Sequence, residues 1–142
     1  TATRPSTTTT TAPGPEDAAL DKLQKIAADD KPAVAAILNN RWVPQLSSKY
    51  EGLHAEGTVW TYAKILQEHL ALRQQYPRVR LLWSSDWPVF EPGYWVTIAG
   101  LDYLDYHDAL AWCNSQLRDR DHCFAKFIST THGPGGTTQL NP

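Results

Sequence analysis

The residues of this chain best suited to covalent chemistry are its two cysteines, Cys113 and Cys123. The pattern predicts Cys113 near the end of a helix and Cys123 at the start of the next strand, so packing of the two elements could bring the sulfurs together. A disulfide that closes so short a loop would stabilise the fold by about 2–3 kcal/mol and would indicate an oxidising compartment. Two buried free thiols are the alternative, because free cysteine is a common core residue.

A hydrolytic triad could be assembled by residue type from Ser84, Ser85 and Asp86 together with His69 or His122. The sequence has no GxSxG, HExxH, P-loop or glycine-rich dinucleotide motif that would place such side chains for catalysis. A lone histidine on a helix is more often structural than catalytic, and His69 is interpreted in that way. We therefore expect a protein that is not an enzyme.

A metal site is a further use of the cysteines, with His107, His122 or His132 as additional ligands. No CxxC or HxxxH spacing places these residues on one surface in the way that a zinc site needs. The sequence therefore predicts no metal and no cofactor.

A strand–helix–strand unit at residues 94–128 carries both cysteines. Residues 94–100 alternate between two faces, which predicts a half-buried strand. Val96 and Ile98 lie on one face, and the other face carries Trp95, Thr97 and Ala99. Asp105 is a helix N-cap, and Asp108 adds an acid to the first turn. The helix presents Ala109, Leu110, Trp112, Cys113 and Leu117 at helical spacing, and residues 123–128 form the next strand.

The preceding part of the chain predicts a similar unit. Residues 41–48 form a strand in which Pro44 favours an edge position or a bulge. Thr58 caps a helix over residues 59–75, and residues 79–84 form the second strand. The two units predict an α+β fold: a ferredoxin-like βαββαβ, four-stranded antiparallel sheet with two helices on one face, preceded by one or two N-terminal helices. The other face is open unless the N-terminal helices or a partner cover it.

The ends of the chain differ from its centre in composition. Residues 1–15 are almost all Thr, Pro and Ala, which predicts a disordered stalk of the kind that carries outer modules. Asp29 and Asp30 end a first amphipathic helix, and Pro32 lies in the first turn of a second. The predicted domains are a stalk (1–15), a helical lead-in (16–40), the βαββαβ domain (41–129) and a flexible tail (130–142).

Composition excludes several classes of partner. The 142 residues carry a net charge of −2 and a pI near 6.2, so nothing indicates nucleic acid or anionic lipid. No apolar run approaches the roughly 20 residues that span a bilayer. Since the chain begins at Thr1, we expect any targeting or membrane segment to lie upstream and to tether the protein.

Two stretches carry a resemblance to the SPOR (sporulation-related repeat) family of peptidoglycan-binding domains. VPQLSS (43–48) is similar to the family's first strand, and WVTIAGLDYLDYHDALAWC (95–113) is similar to its third strand, turn and helix, with Ala109 at the helix alanine. The match spans residues 41–129, and Pro44, Ser47 and Lys49 depart from the family pattern. WVPQLSSKYEGL and LLWSSDW also resemble the extracytoplasmic C-terminal modules of actinobacterial membrane proteins such as Ser/Thr kinases.

The resemblance implies a non-catalytic, extracytoplasmic binding module that recognises peptidoglycan glycan on the open sheet face. Carboxamide, hydroxyl and aromatic side chains suit a sugar, which presents both hydroxyls and apolar C–H faces. A sensor or protein-interaction domain that binds a cell-envelope protein and no glycan is the main alternative. An RNA-recognition-like module shares the strand order, but the acidic pI, the stalk and the cysteine pair argue against it. The residues predicted to bind glycan are Gln45, Ser47, Trp95 and Thr97, with Trp83 and Trp87 beside them.

Overall fold

The computed structural model describes residues 14–142, so the predicted stalk lies outside the described residues except for Gly14 and Pro15. The fold is mixed α+β, with three α-helices and a five-stranded antiparallel sheet. The helices are α1 (Pro15–Ala33), α2 (Tyr62–Gln75) and α3 (Tyr106–Ser115), and a π-helical turn (Val34–Leu38) extends α1. The strands are β1 (Arg41–Lys49), β2 (His54–Ala55), β3 (Thr58–Val59), β4 (Val79–Trp83), β5 (Trp95–Ala99), β6 (Phe124–Ile128) and β7 (Thr138–Gln139).

The main sheet has the strand order β4-β5-β1-β6-β7, and β2 pairs with β3 in a separate short hairpin. The helix α2 connects β1 to β4, and α3 connects β5 to β6. Every strand of the main sheet is antiparallel to its neighbours. No helix within residues 14–142 is long and apolar enough to cross a bilayer.

The helix α1 runs without a break where the sequence predicted two helices. Pro15 and the acids Glu16 and Asp17 occupy its first turn, as suits a helix start. Asp30 does not end the helix, and its side chain is buried. Pro32 lies inside the helix rather than in the first turn of a second. The π-helical turn begins at Val34, two residues after this proline.

The predicted helix at residues 59–75 begins three residues later than expected. Thr61, not Thr58, caps α2, and its side chain accepts a hydrogen bond from the N–H of Lys64. Thr58 and Val59 belong instead to the β2–β3 hairpin. The N-cap of α3 is Asp105, as predicted.

The face of the sheet that bears α2 and α3 is filled by apolar contacts. Leu46 and Ala99 of the sheet pack with Leu72 of α2, and Ala125 packs with Ala109 and Leu110 of α3. As predicted, Cys113 and Cys123 form a disulfide, with Cα atoms 5.6 Å apart, which joins α3 to the segment before β6.

The second face of the sheet is covered by the chain itself, contrary to the expectation of an open surface. Val43, Val96 and Ile98 on this face pack against Val34 and Leu38 of the π-helical turn, and Trp87 and Val89 of the segment before β5 complete the cluster. A layer of apolar side chains therefore occupies the surface on which the glycan was expected to lie.

The C-terminal tail, predicted to be loose, adds the fifth strand. Thr138 pairs with Lys126 and Gln139 with Ala125. Thr137 is buried, and its hydroxyl accepts a hydrogen bond from Lys126 at 2.7 Å. The tail thus protects the edge of β6.

Candidate functional site

A groove with a volume of about 790 Å³ runs between α1 and the ends of β4 and β5. This volume lies within the range that small-molecule sites occupy in proteins. Its walls come from α1, the π-helical turn, the start of α2, the short helical turn after β4, and the β4–β5 pair. The lining residues are Leu20, Gln24, Ala27, Ala28, Lys31, Pro32, Ala35, Tyr62, Trp83, Asp86 and Trp95. We call this the aromatic groove.

One bank of the aromatic groove is a stripe along α1. Leu20, Gln24, Ala28, Lys31 and Ala35 recur every three or four residues, so they share a side of the helix. From residue 20 to residue 35 the stripe extends about 22 Å at the helical rise. The alanines leave a low, flat surface, so this bank can accept an extended ligand.

The opposite bank is aromatic. Trp83 at the end of β4 lies directly across from Trp95 at the start of β5. Their ring centroids are 4.5 Å apart with an interplanar angle of 41°. Trp95 is only 5% exposed, whereas Trp83 and Tyr62 are half-buried and present ring surface to the groove. Rings of this kind pack on the C–H face of a sugar or on another apolar group.

Three amide or charged side chains line the groove: Gln24, Lys31 and Asp86. The Lys31 Nζ and an Asp86 carboxylate oxygen are 3.8 Å apart, which is longer than a hydrogen bond. Pro32 within α1 has no N–H to donate to the carbonyl of Ala28, so this helical hydrogen bond is absent.

Asp30 fixes the position of α1, and with it the width of the groove. Its carboxylate accepts two hydrogen bonds from Arg73 of α2, at 2.8 and 3.1 Å, and one from Arg80 at 3.2 Å. It also accepts the N–H of Leu81 at 2.9 Å, on the outer edge of β4. Burial alone would raise the pKa of Asp30, but the hydrogen bonds from Arg73, Leu81 and Arg80 outweigh it and hold the pKa below its usual value.

His69 belongs to the same network and has a structural role. It is 1% exposed, its Nδ1 lies 2.9 Å from the hydroxyl of Thr97, and its Nε2 lies 3.3 Å from a guanidinium nitrogen of Arg73. Since Arg73 can only donate, Nε2 is the acceptor and Nδ1–H donates to Thr97. Burial, together with the charge of Arg73, lowers the pKa of His69 to about 4, so the ring is neutral.

Of the six residues predicted to bind glycan, the structure brings Trp83 and Trp95 together in the aromatic groove. Thr97 is on the helix-covered face beneath His69, and Trp87 is 3% exposed in the core of the second face. Thr97 was expected on the open face, but it faces the predicted helix α2, so the predicted facing of β5 is reversed. Trp87 packs with residues of the π-helical turn, which the strand pattern does not include.

Gln45 and Ser47 were predicted to share a face, but a bulge separates them. Gln45 pairs with Ile98 and Ser47 with Thr97, so the extra residue between them reverses the alternation. Ser47 turns toward α2, where its hydroxyl donates to Glu68 and accepts from Lys49 at 2.8 Å. Gln45 is 5% exposed, so neither side chain belongs to a free sheet surface.

The serines considered for a triad close a turn instead. The Ser84 hydroxyl accepts the N–H of Tyr94 at 2.7 Å, and the Ser85 hydroxyl accepts the N–H of Gly93 at 3.0 Å. Within residues 14–142, no group of three or more His, Cys, Asp or Glu side chains could hold a metal ion.

The α1 bank of the groove was not identified from the sequence. The sequence predicted a first amphipathic helix that ends at Asp29 and Asp30, so a surface that continues through Lys31 and Ala35 was not expected. The available signal was the recurrence of alanine at Ala27, Ala28 and Ala35, on both sides of Pro32, since alanine has the highest helix propensity.

Comparison with models of known protein families, with curated proteins and with solved structures finds no match to this chain. The resemblance to the SPOR family therefore remains a prediction.

Proposed function

We propose that this chain is a non-catalytic, extracytoplasmic binding module that holds peptidoglycan glycan in the aromatic groove. The observation that carries the proposal is the pairing of Trp83 with Trp95 in the wall of a groove whose α1 bank extends about 22 Å. A linear glycan presents an apolar C–H face on each ring, and such faces pack on indole. The ligand lies along α1 rather than across the sheet.

The polar groups of the groove suit an acetamido sugar. The small side chains of Ala28 and Ala35 leave room on the α1 bank for the methyl of an acetamido group. Gln24 can bond ring hydroxyls from the same bank. No covalent step is needed for this role, and the proposal includes none.

The proposed cellular setting rests on the disulfide. The Cys113–Cys123 bond favours an oxidising compartment, consistent with an extracytoplasmic module that is tethered through an upstream segment. We further propose that the four longer strands form a ferredoxin-like βαββαβ unit. The strand order β4-β5-β1-β6, with α2 and α3 as the two crossovers, supports this assignment.

The test is retention on purified peptidoglycan sacculi. We expect the protein to co-sediment, and Trp83→Ala to reduce retention at least tenfold by removing the stacking surface. Trp42→Ala is the matched control, because Trp42 is also half-buried but packs with Tyr106 and Phe127 away from the groove. Equal retention of both variants, or none by the native chain, would contradict the proposal.

A sensor or protein-interaction domain is the second candidate, favoured by one observation. Most of the groove lining is apolar, including Leu20, Pro32 and Tyr62, and such a lining also suits an aliphatic or aromatic side chain of a protein. Failure to bind sacculi, together with Trp83-dependent binding of a cell-envelope protein, would establish this function instead.

A further inference from the structure

We propose that Lys31 binds a carboxylate of the ligand, so that the aromatic groove selects acidic amino-sugar glycans over neutral ones. This inference rests on the proposed glycan function and specifies its ligand class. Lys31 lies on the α1 bank, in the same stripe as Gln24 and Ala28, and therefore within reach of a ligand that follows the helix.

The ammonium of Lys31 has hydrogen-bonding capacity to spare. Its side chain is 50% exposed, and its distance to Asp86, 3.8 Å, allows a weak ion pair but no hydrogen bond. By contrast, Lys25 on the same helix lies off the groove and bonds Asp29 at 3.2 Å. A ligand carboxylate can therefore replace Asp86 at Lys31 and form the shorter, charge-assisted bond.

The charged residues near Lys31 also favour a negatively charged ligand. The buried carboxylate next in sequence, Asp30, is already neutralised by Arg73 and Arg80 and does not compete for Lys31. Asp86 is itself 39% exposed, so it can return to water when a ligand displaces it. The long stem of Lys31 can follow an anion along the groove, whereas the short Asp86 side chain cannot follow a ligand cation in the same way.

Three oligomers of equal length test the inference by calorimetric titration of the native chain. They are a neutral N-acetylglucosamine tetramer, a tetramer in which alternate sugars carry a lactyl carboxylate, and a de-acetylated tetramer that carries amines. We expect the acidic tetramer to bind about tenfold more tightly than the neutral one at low salt, and this advantage to shrink as salt screens the charge. The amine tetramer should bind most weakly.

Three substitutions test whether Lys31 causes the preference for the acidic tetramer. Lys31→Gln should remove the advantage of the acidic tetramer, Lys25→Gln should leave it intact, and Asp86→Asn should preserve or increase it. Equal binding of the acidic and neutral tetramers by the native chain, with Trp83→Ala weakening both, overturns the inference but leaves glycan binding standing. Tighter binding of the amine tetramer, abolished by Asp86→Asn, also overturns it. If no tetramer binds, both the function and the inference fail.

Discussion

Lys126 on β6 is a buried cation whose contacts within the described chain include no carboxylate. Its ammonium donates to the hydroxyls of Thr137 and Thr138, at 2.7 and 3.1 Å, and lies 5.0 Å from the ring centroid of Phe90. Burial lowers the pKa of Lys126 to about 8. The charge costs stability because hydroxyls and a ring replace only part of its hydration.

The first prediction concerns the pH dependence that follows. Between about pH 8 and the ordinary lysine pKa, the unfolded chain keeps a proton that folded Lys126 has lost, so stability rises with pH in that window. At pH 7 both states are protonated and the folded state bears the full burial cost. Lys126→Met should therefore stabilise the protein by about 2 kcal/mol at pH 7, and the gain should decline toward pH 10.5. Urea unfolding at both pH values measures this, and a pH-independent difference would contradict it.

A second prediction at the residue scale concerns Leu117, which the sequence assigned to the apolar side of α3. In the structure it follows the helix, is 93% exposed, and has a φ of 58° in the left-handed region. A β-carbon is unfavourable there, and glycine is the usual residue at this position of a helix C-terminus. Leu117→Gly should stabilise the fold by about 1 kcal/mol, measured as a shift in the urea midpoint.

The control for this substitution is Leu104→Gly. Leu104 is also an exposed leucine outside the helices, but its φ is not positive, so glycine relieves no strain there. We expect this variant to be no more stable than the native chain, because glycine adds only freedom to the unfolded state. An equal gain in both variants would show that the left-handed backbone at Leu117 is not the cause.

At the scale of elements, the position of α1 decides whether a groove exists. The helix contacts both α2 and the outer edge of β4, and the carboxylate of Asp30 joins all three through Arg73, Arg80 and the N–H of Leu81. A free edge strand is a site for unwanted pairing, and α1 covers this one. The same bonds hold the α1 bank opposite Trp83 and Trp95.

We predict that Asp30→Asn destabilises the protein by about 2–3 kcal/mol, because it leaves two partly buried guanidinium groups without a counter-charge. It should also weaken glycan binding, since α1 is held less firmly. Hydrogen exchange at the amide of Leu81 should accelerate. Asp29→Asn is the matched control, as Asp29 is exposed and pairs only with Lys25 among the described ion pairs. Unchanged exchange at Leu81 would show that Asp30 does not hold α1 in place.

At the scale of the whole molecule, the groove and the disulfide lie in different parts of the fold. The groove is built from α1, α2 and the β4–β5 pair, whereas Cys113 and Cys123 join α3 to the segment before β6. Stability and binding should therefore respond separately to reduction.

The corresponding prediction is that replacing both cysteines by alanine lowers the free energy of unfolding by about 2–3 kcal/mol. Glycan affinity should stay within a factor of two, provided that it is measured well below the unfolding temperature. Urea unfolding and calorimetric titration of the same preparation give both quantities. Loss of affinity in a folded double variant would show that α3 contributes to the site.

The local features of this protein can be read from the order of its residues. The sequence predicted the four longer strands close to their observed bounds, Asp105 as the N-cap of α3, and the disulfide between Cys113 and Cys123. These features depend on neighbours in the chain, so periodicity and capping reveal them. Trp83 and Trp95 were also recognised as candidates for ligand contact.

Long-range packing sets which surfaces are free. The bulge after Gln45 moved Ser47 to the helix-covered face, Val34 and Leu38 closed the second face, and α1 created a groove beside Trp83. Each outcome depends on contacts between residues far apart in sequence. A strand pattern specifies that a side chain points to one side, but not what packs there, because that is set by the total apolar area that distant elements can bury together.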